Sequence, residues 1–155
     1  VSLLFYLNRI TNSKYFLQNK SSNNWLFIAL MVSVIQIVLG TQVRESVDLL
    51  LPSINRISIV SELPSIFEYH RTSAWLVFLS NLVLLIHHRN WMGIMTECYI
   101  IIISIILLFI TGVAMTYYSL LGGFQFLHLI LAVTLFISQM SILMKKLSLS
   151  TVESL

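Results

Sequence analysis

Long apolar runs separated by short polar stretches dominate the chain and predict its secondary structure. Residues 25–43 contain no charged side chain, and residues 98–144 contain no Asp, Glu, Lys or Arg. An α-helix rises about 1.5 Å per residue, so about 20 apolar residues cross the ~30 Å hydrocarbon core of a bilayer. The pattern therefore predicts helices that span a membrane.

Four spans fit this pattern, at about residues 25–43, 65–88, 98–121 and 124–144. Pro64 fits the first turn of the second helix, where a proline loses no hydrogen bond. Gly122-Gly123 is predicted to break the long charge-free run into the third and fourth spans, and residues 44–63 are predicted to form an interfacial or loop segment. The predicted fold is thus an all-α integral membrane protein, a four-transmembrane-helix bundle over residues 25–146 with a cytoplasmic tail at 147–155.

Composition excludes the soluble classes of protein. Hydrophobic residues make up 57% of the 155 residues and charged residues only 10%, with a mean hydropathy of +0.90. Soluble domains carry about 45–50% apolar and about 25% charged residues. An ordinary soluble domain, a disordered segment and a nucleic-acid-binding tail are therefore excluded. The single cysteine, Cys98, excludes an intramolecular disulfide framework and a Cys-rich metal site.

The chain begins at Val1, and its first ten residues are predicted to be the end of a preceding helix, followed by a cytoplasmic linker up to residue 24. Basic residues orient the bundle, because cytoplasmic loops carry an excess of Lys and Arg. The basic residues on the more basic side are Arg9, Lys14, Lys20, Arg89, Lys145 and Lys146. Both chain ends are therefore expected in the cytoplasm.

Two histidines fall at matching depth in the second and fourth predicted spans, which run in the same direction. In both spans a histidine, an alanine and a phenylalanine follow one another at intervals of four, which stacks them on one helix face. They are His70, Ala74 and Phe78, and His128, Ala132 and Phe136. Ionisable groups within a span are costly and usually mark a functional site. A lone histidine there is more often a packing residue, but a matched pair favours ligands.

Two histidines are too few for zinc, which needs three or four ligands, and a di-iron bundle needs several inward glutamates. A haem needs only two axial ligands, so bis-histidine ligation of iron by His70 and His128 is the most economical prediction. Arg44 and Arg71, near the same surface, are predicted to bind the haem propionates, since a guanidinium pairs with a carboxylate bidentately. Ligation requires neutral imidazoles, so the haem is expected to be lost at acid pH.

Three segments resemble the heme A synthase family, in the form found in Bacteroidetes. They are QIVLGTQVRESVD at residues 36–48, FEYHRTSAWLVFLSNLVLL at residues 67–85 and FQFLHLILAVTLF at residues 124–136. The resemblance covers about residues 25–144 and implies one half of a pseudo-twofold eight-helix protein, in which each four-helix half carries a histidine on its second and its fourth helix.

Two departures indicate which half the chain resembles. The catalytic N-terminal half of the family carries a glutamate three residues before its first histidine, but here that position is Phe67, and Glu68 lies on another helix face. The extracytoplasmic cysteine pair found in many members is missing as well. The resemblance therefore implies the C-terminal half, which holds haem b through His70 and His128 and contains no catalytic residue.

The resemblance implies an oxidoreductase that oxidises the C8 methyl of heme O to the formyl of heme A for terminal oxidases, with heme O bound in the missing half. It implies the bacterial inner membrane, with the haem near the outer face. The expected partners are the lipid bilayer, the N-terminal four-helix half, heme O synthase or an oxidase assembly factor, and further copies in a homo-oligomer. No nucleic acid is expected.

Two other interpretations fit the same residues. The first is a self-contained four-helix cytochrome b that carries electrons from a quinol to another redox centre. The second is a small membrane subunit without haem, in which His70 and His128 are packing residues. Absorbance of the purified protein distinguishes the second interpretation from the others.

Overall fold

A computed structural model describes residues 21–87 and 94–153. Its elements are α1 (Ser21–Leu50), a 3-10 turn (Arg56–Ser58), α2 (Ile59–Glu62), α3 (Ser65–His87), α4 (Met95–Tyr117) and α5 (Gly122–Glu153). The described residues contain no strand, which confirms the all-α class. The predicted end of a preceding helix, the predicted linker as far as residue 20 and the basic residues Arg9, Lys14, Lys20 and Arg89 lie outside the described residues. Residues 21–24, which were predicted to belong to the linker, form the start of α1 instead.

Three of the helices are long and apolar enough to cross a membrane, over Asn24–Leu50, Met95–Tyr117 and Gly122–Leu147. Their polar side chains point inward: Ser33, Thr111 and Gln139 are at most 3% exposed. Many of their large apolar side chains point outward, and Ile35, Ile110 and Ile137 are more than half exposed. This distribution suits lipid as the surrounding solvent, so the chain is a multi-pass membrane protein.

The four long helices form two pairs. α1 packs along α3 and α4 packs along α5, while the pairs meet mainly where α1 lies against α5. Arg44 of α1 contacts Gln125 near the start of α5, and Ser33 contacts Gln139 further along it. α1 is therefore antiparallel to α5 as well as to α3, and α3 and α5 run in the same direction. A core of fully buried side chains joins the pairs: Leu26, Leu84, Ile101 and Ile142.

The first helix extends further than the charges in its sequence predict. Residues 44–50 were expected in an interfacial or loop segment, but they continue α1 to Leu50. Arg44 and Asp48 pair at 2.9 Å across one helical turn, and no proline interrupts the chain before Pro52. An ion pair at this spacing supports a helix, so the charges extend the helix instead of ending it. α5 likewise continues beyond residue 144 into the predicted tail.

The connection between α4 and α5 also differs from the prediction. Gly122 and Gly123 lie in the first turn of α5, and the chain reverses at Ser119 and Leu120, with φ angles of 50° and 56°. A left-handed residue with a side chain costs about 1–2 kcal/mol. Leu120 is only 5% exposed and belongs to a cluster that includes Ile59. The two residues together cost about 2–4 kcal/mol, and burying a leucine stabilises by about 1.5–3 kcal/mol, which offsets most of that cost.

A layer of amide side chains lies in the core away from the histidines. Gln139 Nε2 donates to Ser33 Oγ at 3.0 Å and to Asn81 Oδ1 at 2.8 Å, which links α1, α3 and α5. Gln139 and Asn81 are 0% exposed. Gln139 Oε1 has no hydrogen-bond partner in the part of the chain that the structure describes. We call Ser33, Asn81 and Gln139 the amide layer.

The amide layer is expected to behave as a coupled unit in a double-mutant cycle. Gln139→Leu leaves Asn81 Oδ1 without its donor, and Asn81→Leu leaves a Gln139 N–H without its acceptor, so each should lower the free energy of unfolding by about 1–2 kcal/mol. The double variant removes both groups and should lose less than the sum. The free energy of unfolding is measured in mixed detergent micelles for the unsubstituted protein, the two single variants and the double variant. Strictly additive losses would show that the two amides do not interact.

Candidate functional site

The imidazoles of His70 and His128 lie next to each other between α3 and α5. Their ring centroids are 6.4 Å apart and their planes are inclined at 66°. An imidazole nitrogen bonds a metal at about 2 Å and the ring centroid lies about 1 Å further, so two ligands on opposite sides of one iron have centroids about 6 Å apart. The observed separation therefore fits a pair of axial ligands.

Each imidazole is held through Nδ1 by the helix paired with its own. Gln36 Nε2 of α1 lies 3.2 Å from His70 Nδ1. Thr111 Oγ1 of α4 lies 2.8 Å from His128 Nδ1. Among the described residues, neither Nε2 has a hydrogen-bond partner. Metal-ligating histidines are usually anchored in this way through the ring nitrogen that does not bind the metal.

A glycine lies beneath each ring on the neighbouring helix. A Cβ atom built on Gly40 of α1 would lie 3.1 Å from Cε1 of His70, and one built on Gly112 of α4 would lie 3.7 Å from Cε1 of His128. The first distance is shorter than a comfortable contact and the second is an ordinary van der Waals contact. Gly40 is therefore needed for the position of the His70 ring, while the His128 ring has more room.

Aromatic side chains lie further along α3 from His70. Phe78, two turns along, packs against Phe109 of α4 with ring centroids 6.0 Å apart, and Trp75 packs against Phe109 at 5.3 Å. These contacts join α3 to α4 where the two helix pairs otherwise touch little.

Arg44 lies at the same end of the bundle as the histidine pair. Its guanidinium forms two 2.9 Å contacts with the carboxylate of Asp48 and also donates to Oε1 of Gln125. Gln125 precedes His128 by three residues in the sequence, or about one helical turn. The structure thus places Arg44 between α1 and the start of α5, one turn from a histidine.

The recorded side-chain partners of Arg71 lie on its own helix, α3. Its guanidinium pairs with Glu68 at 2.6 Å and lies 5.8 Å from the ring centroid of Phe67. Its side chain is 59% exposed, against 54% for Arg44. Each arginine already has a carboxylate partner, so a propionate at this surface would share the guanidinium or displace that partner.

The sequence alone assigned no role at the site to Thr111, Ser73 or Gln125. All three missed residues contact a predicted site residue or its partner. A signal was present for Thr111, which adjoins Gly112 in an otherwise apolar run. For the others the sequence carried no signal, because polar residues near the end of a span usually face water or headgroups.

The other end of the bundle carries a separate ionic contact. Glu97 of α4 accepts hydrogen bonds from Lys145 and Ser141 of α5, the latter at 3.0 Å. Cys98 beside it is a free cysteine and is 1% exposed. Across residues 21–87 and 94–153 there is no group of three or more His, Cys, Asp or Glu side chains that could hold a metal ion.

Comparison of the chain with protein-family models, with curated proteins and with solved structures found no match. The function must therefore be inferred from the site itself. Its central feature is a pair of imidazoles on two parallel helices, each fixed through Nδ1 by a neighbouring helix and separated by a distance that suits one bridging iron.

Proposed function

We propose that the chain is a four-span membrane bundle that binds one haem b between His70 and His128. The observation that carries the proposal is the 6.4 Å separation of the two imidazoles together with their anchored Nδ1 atoms. Two ligands satisfy a haem, whereas a bare metal ion would need more. In this proposal His70 and His128 bind the iron, and Gln36 and Thr111 hold the two rings.

The fourth span in this proposal is α3. Its 23 residues extend about 34 Å, enough to cross a bilayer. The two ionised side chains in its first turns, Glu68 and Arg71, pair with each other, and residues 72–86 carry no charge. We place the histidine end at the outer surface, because the basic residues of the sequence concentrate at the opposite end.

When bound, a haem supplies one-electron transfer between its ferric and ferrous states. The chain's own contribution is to fix its ligands and to exclude water. Phe78, two turns along α3 from His70, packs against Phe109 and provides an apolar contact between α3 and α4. Gly40 and Gly112 leave space next to the rings. Ordered ligands with little freedom to move favour electron transfer, because the iron site changes little between its two oxidation states.

We further propose that this is the haem b-binding C-terminal half of a heme A synthase of the bacterial inner membrane. Support comes from the three segments that resemble the family and from the lack of its ExxH glutamate. Glu68, the nearest acidic residue, is 57% exposed and paired with Arg71, which suits an interfacial role. In this proposal the methyl group of heme O is oxidised in the partner half, and no residue of this chain takes part in that step.

Two measurements test the proposal. The chain purified from membranes should show the absorption spectrum of a low-spin b-type haem. Expressed in cells that make heme O, it should produce no heme A alone and should support heme A formation when an N-terminal four-helix half is expressed with it. A colourless protein would refute the haem site, whereas a haem-containing protein that never supports heme A formation would refute only the family assignment.

The alternative of a self-contained cytochrome b uses the same site, since both candidate ligands and both anchoring residues belong to this one chain in either proposal. A protein of that kind would be reduced by a quinol without any partner half. Rapid quinol reduction of the isolated chain, with no heme A formed under any pairing, is the result that would favour this alternative.

A further inference from the structure

The hydrogen bonds around His128 determine which ring nitrogen carries its proton. Thr111 Oγ1 lies 2.8 Å from the carbonyl oxygen of Leu107 and 2.8 Å from His128 Nδ1. A hydroxyl has one hydrogen, and a carbonyl oxygen can only accept. The hydroxyl is within reach of two carbonyl oxygens of its own helix, that of Leu107 at 2.8 Å and that of Leu108 at 3.1 Å, which favours donation to the helix and acceptance from Nδ1–H. In that arrangement His128 carries its proton on Nδ1 and its Nε2 has a free lone pair.

The hydrogen bonds around His70 lead to the opposite arrangement. Gln36 Nε2 lies 2.8 Å from the backbone carbonyl oxygen of His70, and Gln36 Oε1 lies 2.6 Å from Ser73 Oγ. Because the carbonyl oxygen can only accept, the amide nitrogen must face it, which fixes the orientation of the amide. The second hydrogen of the same nitrogen then points to His70 Nδ1. His70 Nδ1 is an acceptor, and its proton lies on Nε2.

We propose that Gln36 is a positioning residue that holds His70 in the tautomer opposite to that of His128, so that the two candidate ligands are not equivalent. His128 is ready to bind iron through Nε2. His70 must first move its proton from Nε2 to Nδ1, and Gln36 must stop donating to that nitrogen. This inference depends on the proposed haem site only for the step of ligation, since the tautomers belong to the chain without haem.

Ser73 makes the change at His70 possible without leaving a buried group unpaired. Its hydroxyl lies 2.6 Å from Gln36 Oε1 and 3.2 Å from the carbonyl oxygen of His70. A hydroxyl can donate or accept. In the second arrangement the amide turns over and Oε1 shifts away from the His70 carbonyl oxygen toward Nδ1–H, from which it accepts. Ser73 then donates to the carbonyl and accepts from Gln36 Nε2. Gln36 and Ser73 together form a hydrogen-bond switch with two arrangements.

The tautomers can be measured directly in the haem-free protein. Solid-state NMR of ¹⁵N-histidine-labelled protein in lipid, at alkaline pH where neutral imidazole prevails, distinguishes protonated from unprotonated ring nitrogens. The background carries glutamine in place of His87 and His88. We expect one histidine with its proton on Nε2 and one with its proton on Nδ1, and the first signal should move to the Nδ1 form in Gln36→Glu. Two identical tautomers would overturn the inference whether or not haem binds.

Haem affinity and redox potential test the consequence for ligation. Gln36→Glu offers an acceptor to Nδ1–H, so it should bind haem about tenfold more tightly. A tenfold preference for the ferric over the ferrous state would lower the midpoint potential by about 59 mV. Ser73→Ala removes the acceptor that the turned amide needs, so it should weaken haem binding about tenfold. Reduced low-spin haem is diamagnetic, so the NMR measurement can be repeated on the loaded protein.

Ser80→Ala is the matched control, because Ser80 lies on the same helix and bonds only to the carbonyl of Val77, at 3.1 Å. It should leave haem affinity and potential unchanged. If Gln36 had only a packing role, Gln36→Glu and Ser73→Ala would both weaken binding. Weaker haem binding in both variants would overturn the inference about Gln36 but would not contradict the proposed haem site. A chain that binds no haem but shows the two opposite tautomers would instead refute the proposed function alone.

Discussion

Replacing either His70 or His128 with alanine is expected to abolish bound haem, whereas the same change at His87 is expected to leave the spectrum intact. Each proposed ligand supplies one of the two axial positions, and neither Nε2 has another partner among the described residues. His87 lies on α3 with His70 but 17 residues further on, about 25 Å along the helix. Haem content per protein, from the pyridine haemochrome spectrum, measures the effect.

Loss of haem in an unfolded variant would be uninformative, so a rescue experiment accompanies the substitutions. His128→Gly leaves a cavity where the imidazole was, and free imidazole added to the membranes should restore the low-spin spectrum. Circular dichroism should show unchanged helix content in every variant. Full haem content in both alanine variants would refute the ligand assignment, and restoration by imidazole would distinguish a lost ligand from a damaged fold.

Enlarging Gly40 is expected to have the second largest effect on haem content. A Cβ on Gly40 would lie 3.1 Å from Cε1 of His70, so Gly40→Ala must push the ring aside and Gly40→Val must push it further. Misplacing a ligand by a few tenths of an ångström is expected to lower haem affinity by about 10–100-fold, as loss of an outer-shell partner does. Titration of the haem-free protein with haemin measures the affinity.

Gly112→Ala is the matched control for this prediction. The added methyl group would meet His128 Cε1 at 3.7 Å, an ordinary contact, so this variant should bind haem normally. An equal loss of affinity in both alanine variants would show that the glycines act through helix packing in general. An effect confined to Gly40 would show that clearance for one imidazole is what matters.

Hydrophobic patterning could predict the helices because their length and their lack of charge are local properties. It could also predict that His70 and His128 lie at a similar depth. The partners of the two rings could not be predicted, because they depend on how α1 and α4 are rotated about their own axes. Thr111 reaches His128 only because α4 turns that face toward α5. Nothing local to Thr111 determines that rotation.

The errors at the helix ends have a common cause. Gly122-Gly123 has the backbone freedom that a turn needs, yet the chain turns at Ser119 and Leu120 because burial of Leu120 against α1 and α2 stabilises the strained conformation. Likewise, Arg44 looked like a helix end by its charge, but Asp48 one turn later stabilises a longer helix. Contacts with distant parts of the chain determine where the turn between α4 and α5 lies, and pairing between charges determines where α1 ends.

The amide layer has a consequence for how the protein is made. Ser33 and Asn81 belong to helices that leave the ribosome before α5, the helix that carries Gln139, which bonds to both. Until that helix enters the bilayer, the Oδ1 of Asn81 lacks its donor in surroundings that offer no water. The bundle therefore closes this part of its core only after α5 has entered the bilayer. A chain truncated before residue 139 would expose to lipid polar groups that the folded bundle buries.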